Sequence, residues 1–342
     1  MSITLRSIVL IAPLIGLSSV ASASPPSVVA DIAPLHSLVA QVMKGVGSPQ
    51  LIIPAEASPH EYNLRPSEAS ALQDADAVFW IGHDLTPWLE KSIETLASEA
   101  TVIELLEQPE TRLLAFREGA LFEAHDHDGE HGDKDDHGHH DDHGDHDKHV
   151  HDAHEEHDKS GHADHHGHEH GEYDPHAWLS TSNAGAWLNL IAAKLSAIDP
   201  DNAGTYFANA ETSIADLEML DQEVAKSLEP VSEGSFLVFH DAYQYFENEY
   251  GISATGAISI GDASDPSPAR IAEIQDRIRD EGIDCVLAEP QFNSGLVQTV
   301  LGEEDAKQGV IDPLGSTLST GPDLYGQLIK GMANSIAVCL KK

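Results

Sequence analysis

Between His125 and His170 the chain carries seventeen histidines and sixteen aspartates or glutamates, with almost nothing apolar among them. Such a run cannot bury enough apolar surface to offset the entropy of ordering it, about 1–2 kcal/mol per residue for the backbone alone. Whatever packed structure forms must therefore come from the flanking parts, with 124–171 as a solvated, disordered loop between them. Neutral imidazole is a good ligand for divalent transition metals, so the tract points to metal handling. Its candidate ligands are His125, His127, His131, His137, His139, His140, His143, His146, His149, His151, His154, His157, His162, His165, His166, His168 and His170. Composition does not say whether they store, sense or deliver metal. A purification tag would be short and terminal, whereas this tract is internal and acidic.

On both sides of the tract, short apolar runs alternate with helical stretches. Val28–Ile32, Leu51–Pro54, Ala77–Ile81 and Val102–Leu105 read as strands, separated by helices at Leu38–Met43, from Ser67, and over Trp88–Ala100. Beyond the tract come a helix over Asn183–Ile198 and a long one from Pro200 to Leu228. Tyr206, Phe207, Ile214, Leu217, Leu220 and Val224 are the apolar positions of that long helix. Strands Phe236–Phe239, Cys285–Ala288 and Val310–Asp312 then alternate with helices Ala242–Tyr250, Pro268–Asp280, Ser294–Leu301 and Leu324–Cys339. This alternation predicts an α/β fold of two lobes, each a mostly parallel sheet flanked by helices, joined by a long helix. The lobes are expected at 24–198 and 230–342, with the linker helix at 199–229.

The first 23 residues read as an export signal. Arg6 supplies the positive start, Ile8–Val20 the apolar core and Ala21-Ser22-Ala23 the small-x-small cleavage pattern. No later segment reaches the roughly 20 apolar residues that a span needs, and no cysteine stands at the cleavage point for a lipid anchor. The expectation is a soluble, exported periplasmic monomer that starts near Ser24 and does not insert into the membrane. Cys285 and Cys339, in an oxidising compartment, either pair or stay as two free buried thiols. The net charge of −40 argues against nucleic acid or anionic membrane as a partner. The tract accounts for −13 of it, through three lysines against sixteen acids.

Only five histidines lie outside the tract: His36, His60, His83, His176 and His240. His60 follows the strand Leu51–Pro54, His176 precedes a helix, and His240 ends a strand. Ligand sites in open α/β sheets form beyond the carboxyl ends of the strands, so these three can supply three nitrogens to one tetrahedral metal in the cleft between lobes. Asp174, Asp241 and Glu289 are candidates to accept the other ring N–H of a ligating histidine, and Asp174 and Asp241 can equally cap the helices that follow them. His36 reads as a loop histidine at the cleft rim and an alternative ligand, and His83 as a post-strand turn residue. Trp80, Trp88, Trp178 and Trp187 have the spacing of core or lobe-interface residues.

Ser58-Pro59-His60-Glu61-Tyr62-Asn63-Leu64-Arg65-Pro66-Ser67 resembles the first ligand segment of the bacterial zinc and manganese solute-binding proteins of ABC transporters. Asp174-Pro175-His176-Ala177-Trp178-Leu179-Ser180 resembles the second and Phe239-His240-Asp241-Ala242-Tyr243-Gln244-Tyr245-Phe246 the third. Ala288-Glu289-Pro290-Gln291-Phe292 and Ile311-Asp312-Pro313-Leu314-Gly315 are similar to later landmarks of that family. The acidic His-rich insertion before the second segment is similar to the zinc-uptake branch. The resemblance implies His60, His176 and His240 as ligands to Zn2+, Asp312 or water as the fourth, and a Cys285–Cys339 disulfide. It also implies an inner-membrane ABC permease as partner, with the tract as an accessory collector. Alternatives are a manganese receptor of the same fold and a periplasmic zinc buffer. A three-histidine zinc hydrolase would need a general base and an oxyanion stabiliser. HExxH, GxSxG and paired catalytic carboxylates are all missing from the sequence, so no enzyme is expected.

Overall fold

The computed structural model describes residues 24–117, 173–259, 266–292, 294–302 and 306–341. The expected signal at 1–23 and the loop 124–171 with its seventeen histidines lie outside the described residues. The first lobe runs β1 (Val28–Ala30), α1 (Ala33–Val42), β2 (Gln50–Leu51), α2 (Pro66–Gln73), β3 (Ala77–Trp80), α3 (Pro87–Leu96) and β4 (Thr101–Glu104). Its strands form one parallel sheet in the order β2-β1-β3-β4. Every residue of β1 and β3 is buried, as required of central strands covered on both faces.

A 3₁₀ turn (Ala177–Leu179) leads into α4 (Thr181–Ile198) and α5 (Ala203–Leu228). Ser180 caps α4 by accepting the Asn183 N–H at 3.1 Å. At 26 residues, α5 is about 39 Å long at 1.5 Å per residue. Tyr206, Ala210, Ser213, Leu217, Leu220, Val224 and Leu228 are its buried stripe. The second lobe follows as β5 (Phe236–His240), α6 (Gln244–Tyr250), β6 (Gly256–Ser259), α7 (Pro268–Glu281), β7 (Cys285–Ala288), α8 (Ser294–Leu301), β8 (Lys307–Val310) and α9 (Leu324–Leu340). Its sheet is again parallel, in the order β6-β5-β7-β8.

The lobes are not independent bodies on a hinge. α5 packs against α1 and α4 of the first lobe and α9 of the second, within one apolar core that includes residues of both. Side chains add crossings. The Trp178 indole donates to the Pro313 carbonyl at 2.9 Å, and the Tyr325 hydroxyl donates to the Trp178 carbonyl at 2.8 Å. Ser37 Oγ donates to the Pro322 carbonyl at 3.0 Å. Cys285 and Cys339 form a disulfide that ties β7 to α9. Gly309 of β8 is there because a Cβ would meet Leu287 at 2.8 Å and the Cys339 sulfur at 3.0 Å. Among the described residues no helix is long and apolar enough to cross a membrane.

Several expected elements shift. The first helix starts at Ala33, so His36 is a buried helical residue and not a rim loop histidine. β2 stops at Leu51, although Ile52 and Ile53 still donate to the carbonyls of Ala30 and Asp31. α2 begins at Pro66, suited to a first helical turn, which moves Ser67 inside the helix. The last strand lies at Lys307–Val310, ahead of the expected Val310–Asp312, because its pairing with β7 runs through polar edge residues. β6 was not expected: Gly256-Ala257-Ile258-Ser259 is too small-residued to signal a strand, yet its burial and pairing with β5 make it one. Phe207 is half exposed and off the buried stripe of α5.

Candidate metal centre

The strands of both sheets point their carboxyl ends toward the cleft between lobes, and the candidate ligands sit just past those ends. His60 rides the loop between β2 and α2. The Trp88 indole holds this loop by donating to the Pro59 carbonyl at 2.8 Å, and the Tyr62 ring packs on Trp88 at 5.8 Å between centroids. Glu68 fixes its far end, accepting from the Tyr62 hydroxyl at 2.8 Å and the Arg65 N–H at 2.7 Å. His176 stands at the entry of the 3₁₀ turn, and His240 is the last residue of β5.

These three residues, well separated along the chain, converge. One candidate ligand nitrogen from each lies within 4.8 Å of the other two. Ring centroids are 5.5 Å apart for His60–His176, 5.3 Å for His176–His240 and 6.4 Å for His60–His240. His176 and His240 are buried and His60 is half-buried. Trp178, Phe292 and Pro313 help to wall the cavity, with Phe292 stacked on Phe239 at 4.3 Å and edge-on to His240 at 5.7 Å.

Carboxylates behind the rings set their tautomers. His176 Nδ1 donates to Asp174 Oδ1 at 2.7 Å, and His240 Nδ1 donates to Glu289 Oε1 at 2.6 Å. Each bond places the proton on Nδ1 and leaves Nε2 as a lone-pair donor, the arrangement that orients a metal-ligating imidazole and raises its basicity. His176 Nε2 is buried and has no hydrogen-bond partner among the described residues. A buried polar atom without a partner costs about 1–3 kcal/mol, which a cation facing it would relieve. The site therefore offers three imidazole nitrogens, with two buried carboxylates behind them, to a divalent ion. Three imidazoles and an open position suit tetrahedral zinc, whereas manganese and magnesium favour more oxygen ligands.

The other candidates go elsewhere. Asp312 is not brought into the group. Its Oδ1 accepts the N–H groups of Leu314 (3.1 Å) and Gly315 (2.8 Å), and its Oδ2 accepts the Ser316 hydroxyl at 2.9 Å. It closes a turn in which Gly315 has φ +71°, a left-handed conformation suited to glycine. Glu61 is exposed and outside the group. His36 Nε2 donates to the Pro49 carbonyl at 3.1 Å, and burial pulls that imidazole below the usual histidine range. His83 is exposed, between Glu104 (3.0 Å) and Asp84 (3.1 Å). The hydrogen bond to Glu104 chiefly holds its pKa above the ordinary value. Asp241 pairs with Arg117. Burial pushes the carboxyls of Asp241 and Glu247 up, while Arg117 opposes that shift for both. Sequence reasoning missed Arg117 and the role of Trp88, because neither lies in a ligand segment.

The sequence profile of the family described as "ZnuA: Zinc-uptake complex component A periplasmic" matches residues 28–339. The chain belongs to this family. Zinc-uptake component A proteins are solute-binding components of uptake systems, not enzymes. The high-affinity zinc uptake system protein ZnuA of Brucella suis is 47% identical over 315 residues, 92% of either chain. The protein of the same name from Paracoccus denitrificans is 44% identical over 321 residues, 94% of this chain and 93% of its own. A crystal structure of ZnuA superposes with a TM-score of 0.70 over 93% of this chain and 100% of that one, at 20% identity. That likeness bears on the fold alone.

Proposed function

We propose that this chain is a periplasmic receptor that captures Zn2+ through His60, His176 and His240 and hands it to an inner-membrane ABC permease. The observation that carries this reading is the convergence of the three imidazoles, with Asp174 and Glu289 behind two of them. The names borne by its relatives agree with it. Water or a solvent-derived ligand fills the fourth position, because Asp312 is committed to its own turn. The lack of a carboxylate within the group favours zinc over manganese.

Around this site the chain divides into a cleaved signal at 1–23, a first lobe at 24–198, a linker helix at 199–229 and a second lobe at 230–342. The mature form works as a monomer. The 125–170 tract serves as an accessory collector: its ligands are numerous and not preorganised, so each ion is held less tightly there than at the three-histidine site. Ala115 pairs antiparallel with Tyr173, three residues before His176.

The test is zinc stoichiometry and affinity, by competition with a chelator, for the intact protein, a deletion of 125–170, and His60→Ala. His60→Ala is expected to lose the tight site, and the deletion to keep it while losing the weak ions. A tight site that survives His60→Ala and disappears with the deletion would sink the assignment.

A further inference from the structure

The loops that bear His176 and His240 belong to different lobes, and one short segment is sewn to both. Residues 112–117 leave the first lobe and run between the His176 segment and α6. On one side, the Leu114 carbonyl accepts the Asp174 N–H at 2.8 Å and Ala115 pairs antiparallel with Tyr173. On the other, the Leu114 N–H donates to the Tyr245 hydroxyl at 3.0 Å, and the Gln244 amide donates to the Ala115 carbonyl at 3.0 Å. Tyr245 closes the circuit by donating to the Asp174 carbonyl at 2.8 Å.

Arg117 supplies the charge in this stitching. Its Nε donates to Asp241 Oδ2 at 3.0 Å, its Nη2 also contacts Asp241, and its Nη1 donates to Glu247 Oε2 at 2.7 Å. Asp241 follows His240 directly, and Glu247 sits one turn into α6 with its side chain only 6% exposed. A guanidinium presents five donors in a planar fork and can serve two carboxylates at once, which a lysine ammonium does not reproduce. A guanidinium that stays protonated offers no lone pair to a metal, so Arg117 does not ligate.

We propose that residues 112–117 form a strap that sets the His176 loop against the His240 loop, with Arg117 as the positioning residue that anchors it. This rests on the three-histidine metal reading. A ligand pair drawn from separate lobes keeps its spacing only while something spans the lobes at the mouth of the site. The crossings at Trp178 and Tyr325 do this on one side, and the strap does it on the side of Asp241. Releasing the strap frees the β5–α6 turn that carries His240 and loosens the geometry around the ion.

The test uses the full-length mature chain with Arg117→Gln, Arg117→Lys and the double variant Arg117→Gln/Glu247→Gln, beside His240→Ala. Two quantities are read: zinc affinity by chelator competition, and the visible d–d spectrum at one equivalent of Co2+. Arg117→Gln is expected to lose about 10- to 100-fold in zinc affinity, as for other residues that support a metal ligand, and to shift the Co2+ spectrum. Arg117→Lys, which keeps the charge without the fork, recovers part of the affinity. The double variant removes the more buried of the two carboxylates left unpaired, so it recovers part of the metal-free melting temperature but not the affinity or the spectrum. Wild-type affinity and an unshifted spectrum in Arg117→Lys or in the double variant would overturn the strap, since the defect would then be only buried charge. Retention of the tight site by His240→Ala would instead overturn the underlying metal assignment, and the two failures are distinguishable.

Discussion

Single residues in this molecule are defined by what stands behind them. His176 and His240 are held by Asp174 and Glu289, both inside the cleft, whereas His36 and His83, equally histidine and equally near strand ends, spend their nitrogens on Pro49 and on Glu104 and Asp84. Asp31 is the sharpest case away from the cleft. It is wholly buried at the end of β1, its two oxygens accept the N–H groups of Ile32 (2.7 Å) and Ile81 (2.8 Å), and burial pushes its pKa up to about 7. A folded-state value above the unfolded one means that the native state holds the proton more tightly. Its contribution to stability is therefore complete below about pH 4 and is lost as pH rises through 7. Urea midpoints of the metal-free protein between pH 4 and 8 should show this falling component, and Asp31→Asn, which does not titrate, should flatten it. An unchanged slope in Asp31→Asn would show that other groups set the pH dependence.

At the scale of elements, the parallel strands were easiest to read. Ala77–Trp80 and Cys285–Ala288 are unbroken apolar runs because they are buried on both faces, and α5 shows its stripe at three- and four-residue spacing. Edge strands were harder to read for two different reasons: β8 is largely exposed and filled by lysine, glutamine and glycine, whereas β6 is buried but built mostly from small residues. The histidine set was legible because each member lies in a motif at a strand or helix end. The turn bonds of Asp312 were not legible from its motif: its carboxylate accepts two backbone N–H groups within three residues of itself. Arg117 was invisible, since its partners are more than 120 positions away. The disulfide between β7 and α9 closes a separation of 54 residues. Chain-entropy arithmetic for such a loop gives about 4 kcal/mol. Cys285→Ala/Cys339→Ala should lower the urea-denaturation free energy by roughly that amount while leaving zinc stoichiometry intact; a loss below about 1 kcal/mol would show that the packing of α9 on β8 suffices alone.

The whole molecule is two sheets fused through α5, α9 and a shared core, with the three histidines of the proposed site drawn from places that meet only after both lobes have formed and docked. An unfolded chain has no such meeting point, so the cargo binds the native state alone at this site. Occupancy is then a folding term: an ion at a hundred times its dissociation constant adds about 2.7 kcal/mol to the native state. The intact protein should melt higher with zinc than after chelation, and His240→Ala should lose most of that gain; an equal gain in the variant would place the effect in the tract. Under the proposed function, the receptor that has just surrendered its ion to the permease is thus the least stable form in its cycle, and the one most exposed to periplasmic proteases. The supply of zinc would in this way set the lifetime of the protein that gathers it.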